Sequence, residues 1–248
     1  MPNTTINDVD LFYETHGEGE PLMLVAGLAS DSQSWLPIVG DLAQGYFVIA
    51  PDNRGVGRTR PQDIGTSIRQ IADDCIGLIG HLGLSSVNLL GHSMGGFVAL
   101  DMAIRYPGHV DKLILAATAA SNSSRNNALF AGWASSLESG MGLETWFRNI
   151  FFWLFTAQFF ENQTAVNAAV RYAVEYPYPQ GAIAFRNQVE AIAGFDCTEG
   201  LRGITAKTMV ISGKEDLLFP TGVCAGLARA IPGADFHEID DAAHSIHM

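Results

Sequence analysis

Basic residues are scarce in this 248-residue sequence: 14 Lys and Arg stand against 26 Asp and Glu, for a formal net charge of −12. A surface of that sign repels nucleic acid phosphates and anionic membranes, so neither is expected as a partner. Cysteine is scarcer still. Cys75, Cys197 and Cys224 are too few and too scattered for a disulfide framework or a metal site. No metal or cofactor is expected, and a reducing cytoplasm is the expected setting. Residues 1–10 hold no hydrophobic signal core. The longest aromatic run, residues 150–160, is broken by Thr156 and Gln158 and is too short to span a bilayer.

Hydrophobic residues, by contrast, make up 48% of the chain, enough for a sizeable core. Their patterning alternates between two periods. Strands are expected at residues 9–15, 22–26, 46–50, 86–90, 110–116, 207–212 and 235–239. Helices are expected at 32–43, 67–82, 96–106 and 221–230. Such alternation implies an α/β fold, a mostly parallel sheet covered by helices on both faces. Residues 121–195 interrupt it with helical, aromatic-rich segments and no clear buried strand. They read as an inserted helical cap, which leaves 1–120 and 196–248 as the core.

The most informative stretch is Gly91-His92-Ser93-Met94-Gly95, between a strand and a helix. A serine on a sharp strand-to-helix turn has a strained backbone and an outward hydroxyl. Gly91 and Gly95 lack the Cβ atoms that would collide where strand and helix cross. Ser93 is therefore a candidate nucleophile, and a serine hydroxyl needs a general base oriented by a carboxylate. Asp216 lies four residues past one later strand, with Glu215 as the second choice of acid. His244 follows the last strand. It competes with His237, inside that strand, and with His247, further along the loop. The chain order Ser…Asp…His fits this architecture. An oxyanion needs two backbone N–H donors. Met94 should supply one from the first turn of its helix, and Leu28, just past Gly27, the other.

These residues, together with the loop from Asp52 to Gly57, give the chain a resemblance to the α/β-hydrolase fold superfamily, and within it to the small esterase and 3-oxoadipate enol-lactonase group. The resemblance covers almost the whole chain. It implies a serine hydrolase that cleaves a small carboxylic ester or lactone through an acyl-enzyme. The same site would also suit carbon–carbon bond hydrolysis or perhydrolysis, and a hydrolase-fold small-molecule sensor keeps such a triad while acting by ligand binding. Two departures stand out. The family often has His-Gly where this chain has Ala26-Gly27, which bears on support of the oxyanion loop. The usual final helix is absent, because four residues follow His244.

The cap decides what fits. Trp133, Trp146, Phe151 and Phe155 are candidates to line an apolar pocket above Ser93; packing within the cap is the competing role. Arg125 and Arg148 are candidates to pair with a substrate carboxylate, or are simply solvated. Arg54 is expected to tie down its own glycine-containing loop.

Overall fold

The apolar runs assemble into one eight-stranded sheet in the computed structural model, which describes residues 3–247. In chain order the strands are β1 (Asn3–Ile6), β2 (Val9–His16), β3 (Glu20–Val25), β4 (Tyr46–Pro51), β5 (Val87–His92), β6 (Val110–Ala116), β7 (Lys207–Gly213) and β8 (Asp235–Ile239). Their order across the sheet is β1-β2-β4-β3-β5-β6-β7-β8. The β1–β2 and β2–β4 pairs are antiparallel and all others parallel. The central strands β3 and β5 are almost wholly buried, as strands covered on both faces must be.

The helices are α1 (Leu36–Leu42), α2 (Ile68–His81), α3 (Met94–Arg105), α4 (Ser124–Glu138), α5 (Leu143–Leu154), α6 (Ala157–Glu161), α7 (Gln163–Val174), α8 (Ala182–Ala193) and α9 (Thr221–Ala230). α2 buries Ile68, Ile71, Ala72, Cys75, Leu78 and Ile79 along one stripe, and Ser67 caps it by accepting the Gln70 N–H. α3 is buried on most sides because it crosses the sheet directly behind β5. The five helices α4 to α8 all fall between β6 and β7.

Two expectations need correction. No strand is expected where β1 lies: it is a four-residue edge strand with only Ile6 buried, too short for a period to register. The helix expected over 32–43 is split. A 3₁₀ turn, Ser32–Trp35, precedes α1, and Asp31 caps that turn through the Gln33 N–H. Arg54 ties its loop to residues outside it. Its buried guanidinium pairs with Asp74 on α2 at 2.9 Å and with Asp8 at 2.7 Å. Among the described residues no helix follows β8, and Met209 and Phe236 on the last two strands are 40% and 38% exposed.

Candidate active site

Ser93 sits where β5 turns into α3, with φ 54° and ψ −118°. That left-handed backbone is costly for a residue with a side chain, on the order of 1–3 kcal/mol. The surroundings impose it. A Cβ on Gly95 would overlap the Val25 carbonyl oxygen, and one on Gly91 would overlap that of Gly95. The Ser93 N–H donates to the Ala116 carbonyl at 2.9 Å, and its own carbonyl accepts the Thr118 hydroxyl at 2.8 Å. Ala29 (φ 58°) and Ala117 (φ 50°) are left-handed as well, so strain collects at the carboxyl ends of the adjacent strands β3, β5 and β6.

The structure brings three of the expected residues together. His244 Nε2 lies 2.9 Å from Ser93 Oγ, and His244 Nδ1 lies 2.9 Å from Asp216 Oδ2. The other carboxylate oxygen of Asp216 accepts the N–H groups of Leu218 and Phe219 at 2.8 and 2.9 Å. All three side chains are buried. Burial works to raise the Asp216 pKa. The neighbouring His244 and the two backbone N–H groups outweigh it, so this carboxyl lies below the usual carboxylate range.

Glu215 points elsewhere: its carboxylate accepts the Ala157 N–H of the cap at 3.0 Å. His237 is an exposed residue of β8. His247 packs tilted against Trp35 and edge-on against His92, with ring centroids 4.7 and 4.6 Å away. Burial, with His244 nearby, pushes its pKa down to about 4. His92 is buried beside both histidines, and its pKa falls well below the ordinary imidazole value.

Met94 is the first residue of α3, and the loop after β3 runs against the serine. A Cβ built on Gly27 would lie 3.1 Å from Ser93 Cβ. Among the described residues the N–H groups of Leu28 and Met94 make no hydrogen bond. The loop lacks the family's frequent histidine but is held in other ways. Asn53 Nδ2 donates to the Ala26 carbonyl at 3.0 Å, and the Ser32 N–H donates to Asp52 at 2.9 Å. The loop from Asp52 to Gly57 therefore buttresses the loop that follows β3. The cap contributes Gln188, whose side-chain carbonyl accepts the Ala29 N–H at 3.2 Å. Nothing in the periodicity of α8 marks that glutamine out.

The cap aromatics divide. Trp133 and Trp146 are buried and use their indole N–H groups inside the cap, on the Asn149 side chain and the Trp133 carbonyl. Phe151 is buried with them. All three belong to the hydrophobic core, the packing role that competes with pocket lining. Phe155, half-buried, follows Leu154, whose carbonyl accepts the Ser245 N–H at 3.0 Å. The arginines are likewise engaged: Arg148 pairs with Glu144, and Arg125 donates to the Leu217 carbonyl. Among the described residues no group of three or more His, Cys, Asp or Glu is placed to hold a metal ion. No described helix is long and apolar enough to cross a membrane.

A strained serine at a strand–helix turn, on a mostly parallel sheet with helices between β6 and β7, defines a hydrolase architecture. The chain belongs to the α/β hydrolase fold family, whose model matches residues 20–248. Among its relatives is a protein of Azorhizobium caulinodans named "Putative carbamate hydrolase RutD". The two are 30% identical over 99% of this chain and 92% of the relative. The enol-lactonase from Burkholderia xenovorans LB400 superposes with a TM-score of 0.88 at 28% identity, covering 98% of this chain and 93% of that one. A thermophilic esterase from Thermogutta terrifontis superposes with a TM-score of 0.85 at 28% identity, covering 98% and 89%.

Proposed function

We propose that the protein is a serine hydrolase that cleaves a small carboxylic ester or lactone through an acyl-enzyme. The observation that carries this reading is the continuous chain Ser93 Oγ, His244, Asp216, with both contacts at 2.9 Å. Ser93 Oγ attacks the substrate carbonyl as its proton passes to His244 Nε2. Asp216 holds the imidazole with Nδ1–H towards itself and stabilises the imidazolium. The N–H groups of Leu28 and Met94 bind the oxyanion. Collapse of that tetrahedral intermediate expels the alkoxide, which takes the proton from Nε2. A water molecule, deprotonated by His244, then attacks the acyl carbon and releases the acid and the serine.

The names of the Burkholderia and Thermogutta proteins support an ester or lactone. With Arg125 and Arg148 both engaged, an uncharged acyl group is the better fit. Phe155 is the cap aromatic we place beside that group, because the residue before it bonds the His244 loop. The partner is a small molecule, and we read the setting as cytoplasmic, in keeping with three free cysteines. A carbamate is the second reading, favoured by the name of the Azorhizobium relative. The same addition and collapse would cleave it.

The test is a substrate panel assayed with the wild type and Ser93→Ala: aryl esters, lactones, aryl carbamates, a dienoate with a scissile carbon–carbon bond, and acetate with peroxide. Ester or lactone turnover that is fastest and lost in the variant supports the proposal. Turnover confined to the dienoate or the peroxide would assign another reaction to the site. Ligand binding without turnover would make the protein a sensor.

A further inference from the structure

We propose that Gln188, on cap helix α8, is a positioning residue for the oxyanion loop: it fixes Ala29, and through it the N–H of Leu28, so that the donor pair is complete only with the cap seated. The proposal rests on the reading of Leu28 as an oxyanion donor.

The Gln188 side chain is fully buried. Its carbonyl oxygen accepts the N–H of Ala29 at 3.2 Å and that of the Gln180 side chain at 3.0 Å, while its Nε2 donates to the Arg54 carbonyl at 2.9 Å. The partners fix which end of the amide is which, since a backbone N–H only donates and a carbonyl only accepts. Gln180 also donates to the Gly55 carbonyl at 2.7 Å. One cap amide thus links the loop after β3 to the loop after β4, and Arg54 anchors the latter through Asp74 and Asp8.

This matters at Ala29 because its backbone is left-handed, at φ 58°. An alanine leaves that region readily once nothing holds it. Rotation there would swing the peptide between Leu28 and Ala29, and with it the neighbouring Leu28 N–H. A donor is effective only when held at the position the oxyanion will occupy, so a small swing costs rate and little ground-state binding. A hydrophobic residue at 188 would fill the space and take the Gln188 partner away from the Ala29 N–H, so that nothing holds Ala29 in that region.

The experiment compares an aryl ester with its thionoester in the wild type, Gln188→Met and Tyr176→Phe. Sulfur is a weak hydrogen-bond acceptor, so the ester-to-thionoester rate ratio reads the donors directly. Tyr176→Phe removes a different cap-to-core bond, to Asp31. The expected result is a Gln188→Met kcat lowered about 10- to 100-fold with KM changed less than about threefold, and a smaller ester-to-thionoester ratio. Tyr176→Phe keeps the wild-type ratio. An unchanged ratio in Gln188→Met beside a discriminating wild type overturns the role of Gln188 alone. A wild type that does not discriminate, or does not hydrolyse the ester, overturns the oxyanion reading with it. Amide hydrogen exchange of the wild type adds a measurement independent of any variant's folding: the Ala29 N–H should be protected, and its rapid exchange would also overturn the proposal.

Discussion

His92 Nε2 donates to the main-chain carbonyl of His244 at 2.8 Å, so the residue beside the nucleophile holds the loop that carries the base. A carbonyl only accepts, which places the proton on Nε2. Burial then keeps this histidine neutral. Removing the donor leaves that carbonyl with the Ile246 N–H alone, at 2.9 Å, and loosens the loop, at a cost of about 0.5–1.5 kcal/mol. His92→Phe should therefore lower kcat/KM on an aryl ester by about tenfold or more, with circular dichroism unchanged. Full activity in that variant would detach His92 from the base.

The same cluster sets how stability depends on acid. His247 has a folded pKa of about 4 against an ordinary 6.5, and His92 is shifted in the same direction. Both bind fewer protons folded than unfolded, so stability falls as pH drops from about 6.5 towards 4. His247 alone accounts for a loss on the order of 3 kcal/mol over that window. Asp216, its carboxyl lowered, contributes stability that is full above its unfolded value and is lost only as pH falls through the lower folded one. Urea midpoints across this range should slope downward towards acid, and His247→Phe should flatten the slope between pH 6.5 and 4.

Gly95 lies where α3 begins and where a Cβ would overlap the Val25 carbonyl. The clash is with backbone, which cannot swing aside as a side chain would. Gly95→Ala should cost about 3 kcal/mol or more and reduce both the unfolding midpoint and activity. A midpoint within a degree of wild type would mean that strand and helix stand further apart.

The acid loop is held from the cap. Asn126 Nδ2 donates to the buried Leu218 carbonyl at 2.7 Å, and the Leu218 N–H donates to Asp216. Asn126→Ala should destabilise by about 1–3 kcal/mol in denaturant. It should also lower kcat more than KM, because Asp216 loses its rigid setting.

Much of the site is legible in the sequence because its chemistry is tied to strand ends. Buried strands such as β3 and β5 read as apolar runs, and Ser93 follows β5, whereas Asp216 and His244 follow the alternating β7 and the exposed β8 and are legible through the chain order Ser…Asp…His. β1 escapes because three of its four residues keep contact with solvent. The supports of the site escape for another reason. Gln188 and Ala29 meet across 159 residues, and His92 and His244 across 152. A glutamine on an amphipathic helix looks like a surface residue until the fold buries it. Trp133 and Trp146 are not assigned by sequence pattern, because aromatic residues suit a cap interior as well as a pocket.

The most direct test of the account is the mass of the acid-quenched protein during turnover of an aryl ester, with the modified peptide sequenced. The account predicts one acyl group, on Ser93, and for Ser93→Ala no adduct and hydrolysis lowered by a factor on the order of 10³ to 10⁶. An acyl group on another residue, or near-normal hydrolysis by the variant, would contradict it.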